Sequence, residues 1–226
     1  MRLAALICLV LALATALLYS GPAAQVSTAS AAPREKWIHI DLVRKALTLY
    51  EGTKALKVYA IASGTADNPS PIGVWRVASR FSSKMSGFGT RFLGLNVPWG
   101  QFGIHGTNKP GSIGTNASHG CIRMHVKSAE ELYRLVPNGA KVVIEGGPYG
   151  ALDSYLPTLV PGERSSHVRE VQQRLNNLGY PTGNPDGVYG AGTSRAVLQA
   201  REAYKLPRAD RVDAALYEAL GIILFE

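Results

Sequence analysis

The stretches that decide the fold and chemistry of this 226-residue chain are Ile104-His105-Gly106-Thr107 and Ser118-His119-Gly120-Cys121-Ile122-Arg123-Met124. Each stretch places a histidine beside a glycine, and the second adds a cysteine. A thiol becomes a strong nucleophile as the thiolate, which a neighbouring base or cation favours. Residues two apart on a strand share a face, so His119 can lie beside Cys121, whereas His105 must arrive from another strand.

A metal site is the competing interpretation of the same residues. The possible ligands are His105, His119, Cys121 and His125. Structural zinc sites generally use two close pairs of ligands at characteristic spacings, and the expected cysteine pairing is missing here. We therefore expect no metal and no organic cofactor. A third interpretation, that the histidines are ordinary loop residues, leaves the cysteine unexplained.

The N-terminus has the pattern of an export signal. Arg2 precedes an apolar run over residues 3–18, and the small residues Ala29-Ser30-Ala31 suit a signal peptidase. The run is shorter than the roughly 20 apolar residues of a membrane-spanning helix. We expect residues 1–31 to be a signal peptide, with an uncleaved N-terminal membrane anchor as the alternative.

Cleavage would remove Cys8 and leave Cys121 as the one remaining cysteine. Cysteines of exported proteins are usually paired as disulfides. An unpaired thiol in that setting suggests a reactive group or an intermolecular bridge, although a small buried side chain without chemistry is the ordinary alternative.

Only the first part of the chain has a net positive charge. Residues 34–147 carry 15 Lys and Arg against 7 Asp and Glu, whereas residues 148–226 carry 8 against 9. A basic exported domain can face nucleic acid, acidic lipid or an anionic wall polymer. The chain has no Lys/Arg run with interleaved aromatic residues, so we do not expect nucleic acid as a partner.

Residues 34–147 are predicted to be mostly β. Short β-branched and aromatic runs predict strands at residues 37–42, 46–50, 56–61, 73–79, 102–104 and 141–144. One helix is predicted to begin near Ser128, capped by that side chain and followed by Glu131. Residues 79–99 are rich in Gly and Ser, which favours a long loop or flap near a site. We expect a sandwich or barrel with one helix.

The second part of the chain is predicted to be helical. Apolar residues recur at intervals of three and four at Val168, Val171, Leu175 and Leu178, before Gly179 and Pro181. Two more helices are predicted over about residues 193–204 and 213–220, and Pro157 and Pro161 mark a linker. The expected fold is therefore an α+β multidomain chain. Its parts are a domain at 34–147, a linker at 148–161 and a three-helix domain at 162–224.

The two His-Gly stretches resemble the signature of L,D-transpeptidase catalytic domains. The similarity takes in Pro71-Ile72-Gly73 and Phe88-Gly89-Thr90-Arg91 and so covers most of residues 34–147. The resemblance implies a mostly-β, sandwich-like domain. It also implies a bacterial enzyme whose cysteine attacks the carbonyl between diaminopimelate and D-alanine in a tetrapeptide stem. D-alanine leaves, and an amine of a second stem resolves the thioester as a 3→3 cross-link.

By this resemblance, Cys121 is the nucleophile and His105 is the proton-transfer residue. A backbone carbonyl near Gly106 would orient the imidazole of His105.

The remaining site residues follow from the same likeness. Ser118, His119 and Gly120 would line the oxyanion and substrate site, with amides of Gly120 and Cys121 facing the oxyanion. Many members have Asn where this chain has Arg123. The Arg123 guanidinium could clamp a stem carboxylate through two hydrogen bonds, and packing against the strand is the alternative.

Residues 162–224 resemble a small three-helix peptidoglycan-binding domain. The similar residues are Val171-Gln172-Gln173-Arg174-Leu175, Leu178-Gly179-Tyr180, Asp186-Gly187-Val188-Tyr189-Gly190 and Thr193. A second Asp-Gly copy is expected near the end, where this chain instead has Arg208-Ala209-Asp210-Arg211-Val212. That departure bears on wall affinity more than on fold, and a generic helical domain is the alternative.

Together these resemblances predict an exported, monomeric L,D-transpeptidase of peptidoglycan biosynthesis, cell wall organisation and cell shape. It would lie in the cell wall or extracytoplasmic space, and at a membrane only if the N-terminal segment is uncleaved. Its partners would be stem peptides, glycan and, as covalent inhibitors, carbapenems. Two alternatives stay open. One is an L,D-carboxypeptidase or endopeptidase that hydrolyses the same stem. The other is a catalytically silent wall-binding protein, against which the intact His105 and Cys121 argue.

Overall fold

The first part of the chain consists mainly of short strands along which buried and more exposed residues alternate. The computed structural model describes residues 35–146 and 155–222, with residues 83–86 described by their backbone alone. The predicted signal peptide or anchor at residues 1–31 lies outside the described residues, as does part of the predicted linker. The strands are β1 Lys36–Asp41, β2 Ala46–Glu51, β3 Lys54–Gly64, β4 Gly73–Ser86, β5 Gly89–Leu95, β6 Phe102–Thr107, β7 Asn116–Ser118, β8 Ile122–His125 and β9 Lys141–Glu145.

The strands form one sheet in the order β2-β1-β9-β4-β5-β6-β8-β3-β7, and an additional pairing joins β2 to β3. That pairing closes the sheet into a barrel-like ring, and β7 pairs with β3 in parallel. The sandwich-like arrangement expected from the sequence is therefore not confirmed, although the mostly-β content is. Sandwiches and barrels share the same alternation of inward and outward residues, and what separates them is long-range pairing that the pattern does not record.

The inward-facing residues fill the ring. On β1, Ile38 and Ile40 are fully buried, and their neighbours on that strand are only partly buried. Other members of this apolar core are Leu47, Leu49, Ile61, Val77, Leu93, Ile104, Ile122, Met124, Val142 and Ile144. The side chains on the other face of each strand point away from this core, toward the surface or the candidate site.

The predicted loop at residues 79–99 is wrong over much of its length. Strand β4 continues to Ser86, and β5 begins at Gly89, so the two form an antiparallel hairpin. The rings of Phe81 and Phe92 stack across the hairpin with centroids 4.7 Å apart. Cross-strand aromatic pairs of this kind stabilise a hairpin.

The first helix begins close to the predicted position, but the predicted cap by Ser128 is wrong. Helix α1 is Val126–Leu135, its N-cap is His125, and no side chain caps it. Ser128 therefore lies inside the first turn. The helix follows β8 without a loop, so its start is set by where the chain leaves the sheet. Ala129 and Leu132 are buried against the core, and α1 contacts β5, β6 and β8. A 3-10 turn lies at Pro110–Ser112.

Residues 155–222 are mainly helical. The helices are α2 Ser166–Asn177, α3 Ala191–Ala203 and α4 Ala214–Ala219. Ser165 caps α2 by accepting a hydrogen bond from the Val168 amide, and Asp213 caps α4 in the same way. A second apolar cluster forms around these helices, and it includes Leu159, which pairs with Val212. No helix among the described residues is long and apolar enough to cross a membrane.

Candidate active site

Two paired strands bring the candidate catalytic residues together. Strands β6 and β8 run in parallel, with Ile104 opposite Ile122 and His105 opposite Arg123. The two isoleucines point into the core. His105 and Arg123 therefore share the outer face of the pair, because successive side chains alternate. Cys121 immediately precedes β8, so it lies toward the same face, diagonally from His105.

The turn before Cys121 depends on Gly120. Its φ is +105°, a conformation that side chains with a Cβ rarely adopt. A Cβ there would also come within 2.5 Å of the Phe102 ring and 3.2 Å of the Pro69 carbonyl oxygen. Buried Ser118 holds the turn from inside, because its hydroxyl donates to the Cys121 carbonyl at 2.6 Å. The backbone between β7 and β8 is thus fixed in one shape.

The same hydroxyl accepts a hydrogen bond from the Gly120 amide at 3.1 Å. The sequence interpretation assigned that amide to an oxyanion, and the assignment requires the Ser118 bond to give way when an oxyanion forms.

His105 is almost completely enclosed, with 2 % of its surface exposed. Its Nδ1 bonds the Gly106 carbonyl oxygen at 2.5 Å, which is the backbone carbonyl that the sequence interpretation expected to orient it. The ring of Phe92 is nearly parallel to the imidazole, and the ring of Phe88 meets it edge-on at 5.0 Å. Because Nδ1 faces a carbonyl oxygen, the neutral imidazole carries its proton on Nδ1.

Burial lowers the pKa of His105, and the Arg123 charge lowers it further, while hydrogen bonds to the backbone of Gly106 and Phe88 act in the opposite direction. The imidazole is therefore neutral more readily than a free histidine. A neutral imidazole is the form that can accept a proton.

The Cys121 thiol is partly buried, and its Sγ lies 3.9 Å from the Gln101 carbonyl oxygen. Burial raises the pKa of Cys121, whereas a hydrogen bond with the backbone of Gly103 and the Arg123 charge lower it. Burial is the largest of these effects, so the resting side chain is the thiol. The arrangement suits a proton transfer that accompanies nucleophilic attack.

Arg123 supplies the positive charge nearest to both groups. Its Nη1 donates to the Ala117 carbonyl oxygen at 2.9 Å. Its Nε is buried and has no hydrogen-bond partner among the described residues. The guanidinium thus helps to hold the β7–β8 turn through Nη1.

The two parts of the chain are each similar to a known family. Residues 35–144 match the family described as "L,D-transpeptidase catalytic domain". This part of the chain is thus similar to L,D-transpeptidase catalytic domains. Residues 164–220 match a second family, described as "Putative peptidoglycan binding domain".

Individual proteins are also similar to this chain. The Bacillus subtilis protein named "Putative L,D-transpeptidase YkuD" is 40% identical over 107 residues, which are 47% of this chain and 64% of that protein. The chain thus spans less than two thirds of that relative. B. subtilis YqjB, of the same printed description, is 28% identical over 127 residues, covering 50% of this chain and 72% of YqjB. The catalytic domain of the E. faecium L,D-transpeptidase is 23% identical, with a TM-score of 0.43, over 50% of this chain and 98% of that domain.

Two histidines that the sequence singled out are exposed, unlike His105. His119 is exposed on the turn, and His125 is exposed at the start of α1. Within residues 35–146 and 155–222, no group of three or more His, Cys, Asp or Glu side chains is placed to hold a metal ion.

Sequence reasoning missed Phe92 and gave Phe88 no role, although both rings enclose His105. Phe92 lies opposite His105 in the β5–β6 register, and its ring covers Gly103 so closely that a Cβ there would be 2.3 Å away. The run Thr90-Arg91-Phe92-Leu93-Gly94-Leu95 carries a strand signal that could have placed Phe92 beside β6, had the segment not been interpreted as a loop.

Proposed function

We propose that this chain is a cysteine-dependent L,D-transpeptidase of bacterial cell-wall peptidoglycan. The observation that carries the proposal is the shared outer face of β6 and β8, where Cys121 lies diagonally from a buried, neutral His105. The match of residues 35–144 to the family supports the same reaction. Cys121 and His105 are our assignment of the catalytic pair.

The first half-reaction forms a thioester. The Cys121 Sγ attacks the carbonyl between diaminopimelate and D-alanine of a tetrapeptide stem, and His105 accepts the thiol proton. The oxyanion that develops is stabilised by backbone amides of the Gly120–Cys121 turn. When the C–N bond breaks, His105 gives its proton to the departing amine, and D-alanine leaves.

The second half-reaction releases the product. An acceptor amine of another stem loses a proton to His105 and attacks the thioester carbonyl, and the Cys121 thiolate leaves and is reprotonated. The new amide is a 3→3 cross-link. Arg123 lies opposite His105 in the register of β6 and β8, so its guanidinium is our candidate for contacting a stem carboxylate.

The rest of the chain fits an enzyme that works at the wall. We propose that residues 1–31 direct export, as a cleaved signal or an anchor, and that the protein acts as a monomer outside the cytoplasm. The second family match supports contact with peptidoglycan through residues 164–220. A strained lactam resembles the acyl donor, so carbapenems should acylate the same cysteine. These assignments connect the enzyme with wall organisation and cell shape.

Product analysis tests the proposal. The purified protein is incubated with soluble disaccharide-tetrapeptides, and products are separated and identified by mass spectrometry. We expect release of D-alanine together with dimers joined 3→3, and neither product from Cys121→Ala. Tripeptide products without dimers would identify a hydrolase instead. Turnover that survives Cys121→Ala would contradict the cysteine mechanism.

A further inference from the structure

Residues 99–102 run from the helical part of the chain to the candidate nucleophile. Strand β5 ends at Leu95 and β6 begins at Phe102, so residues 99–101 are not held by the sheet. Together with Phe102, the first residue of β6, they form what we call the bridge segment, Trp99-Gly100-Gln101-Phe102. Residues 99–101 lie outside the strands, so their position depends on contacts at the two ends of the bridge segment rather than on hydrogen bonds between strands.

One end of the bridge segment contacts the helical part. The Trp99 ring lies so close to Gly187 that a Cβ there would be 2.4 Å from the ring, and Gly187 has a φ of +74°. Gly187 belongs to the Asp-Gly motif of residues 186–190. Trp99 also meets the Trp75 ring edge-on at 5.2 Å, and the Arg169 guanidinium of α2 lies 4.9 Å from the centroid of the Trp75 ring.

The other end contacts the turn that carries Cys121. The Gln101 carbonyl oxygen lies 3.9 Å from the Cys121 Sγ. The Phe102 ring covers Gly120, where a Cβ would be 2.5 Å away, and it meets the Trp99 ring with centroids 6.3 Å apart. A continuous series of packed contacts thus joins Gly187 to the backbone beside the thiol.

We propose that the helical domain positions Cys121 for acyl transfer by holding the bridge segment against the Cys121 turn. Trp99 and Phe102 are then positioning residues, and Gly187 is the docking point on the helical domain. The inference rests on the proposed function, and it adds a second role for the Asp-Gly motif beside contact with the wall. If the docking is lost, residues 99–101 lose one of their two supports, and the thiol becomes more open to water.

The test replaces Gly187 and compares it with a matched glycine. Gly187→Ala drives a Cβ into the Trp99 ring, whereas Gly183→Ala has a similar positive φ of +93° in the same domain with nothing within 4 Å. Arg169→Ala is a second variant that removes the contact with Trp75 without straining the backbone. All three are made in the full chain, and circular dichroism and thermal unfolding establish that each one folds.

Two measurements are made on each variant. The first is kcat and KM with a soluble disaccharide-tetrapeptide, to which wall binding contributes nothing. The second is the rate of alkylation of Cys121 by iodoacetamide across pH, which needs no transpeptidase activity. We expect Gly187→Ala to lower kcat by about 10- to 100-fold with KM near the wild-type value, as small misplacements of reacting groups do. Alkylation at neutral pH should become faster, because a more hydrated thiol ionises at lower pH.

The control should match the wild type in both measurements, and Arg169→Ala should change both in the same directions as Gly187→Ala. Folded Gly187→Ala and Arg169→Ala proteins that behave like Gly183→Ala would overturn the inference. If the wild type shows no turnover, the proposed function fails, and the alkylation rates still decide whether the helical domain acts on Cys121.

Discussion

Burial at Cys121 and His105 disfavours the charged form of each side chain. The pKa of the thiol is raised and that of the imidazole is lowered, so both shifts favour a neutral pair at rest. Arg123 lowers both pKa values, which helps the thiolate to form and opposes a second positive charge on His105. On the proposed mechanism, the thiol stays protonated until a substrate carbonyl arrives, and attack and proton transfer then occur together.

A pH profile tests this resting state. The rate of Cys121 alkylation by iodoacetamide should rise through alkaline pH, with its midpoint above the value of about 8.5 of a free cysteine. Arg123→Ala removes a charge that lowers the pKa of Cys121, so its midpoint should move to still higher pH. Alkylation that is already fast and pH-independent below neutrality would show a preformed thiolate–imidazolium pair and contradict this account.

At the scale of secondary-structure elements, the sequence predicted most strands of the barrel. Alternating apolar residues predict strands at Trp37–Leu42 and Lys141–Ile144, and the structure places β1 and β9 there. The hairpin of β4 and β5 was missed because the segment is rich in Ser and Gly, a composition that suggests a loop when the cross-strand partners are unknown.

The candidate site shows the same division. The motif residues were found because a thiol and two histidines in Gly-rich stretches have a chemical meaning. Their relation in space depends on the parallel pairing of β6 with β8 and on the approach of the hairpin to His105. Both are contacts between residues distant in sequence, so no local pattern contains them. The enclosure of His105 by two phenylalanine rings belongs to this second class.

Gly89 tests whether the hairpin tip must approach β6 closely. Its φ is +67°, and a Cβ there would be 2.8 Å from the Gly106 Cα, whereas Gly139 has a φ of +80° and open space around it. Alanine at either position should cost about 1–2 kcal/mol of backbone strain. Gly89→Ala should lower the free energy of unfolding further and also slow acylation of Cys121, because Phe88 would move from His105.

Urea denaturation and acylation rates measure the two effects, with Gly139→Ala as the control. Equal losses of stability in the two variants, with acylation unchanged in both, would mean that the close approach of Gly89 to Gly106 is not required.

At the scale of the whole molecule, the two parts of the chain differ in net charge but are in contact with each other. Residues 34–147 have a net charge of +8 and the remainder is near neutral, so on the proposed function attraction to acidic wall polymers comes from the first part of the chain. The family matches at residues 35–144 and 164–220 fall on the two apolar clusters. Trp99 and Gly187 bring these two parts into contact, so on our proposal the helical domain supports the active site as well as binding the wall.

Covalent labelling of the full chain by a carbapenem tests the central claim most directly, since the adduct is stable enough to be mapped. The protein is incubated with imipenem, and intact mass and peptide mapping locate the label. We predict addition of one complete carbapenem mass at Cys121. His105→Asn should slow the labelling by about 10²–10⁴-fold, the usual contribution of proton-transfer catalysis.

The matched control is His39→Asn, since His39 lies on β1 and bonds Glu145 at 2.9 Å, away from the β6–β8 face. Its labelling rate should equal that of the wild type. A label on any residue other than Cys121, or labelling of His105→Asn at the wild-type rate, would contradict the assignment of Cys121 and His105 as the catalytic pair.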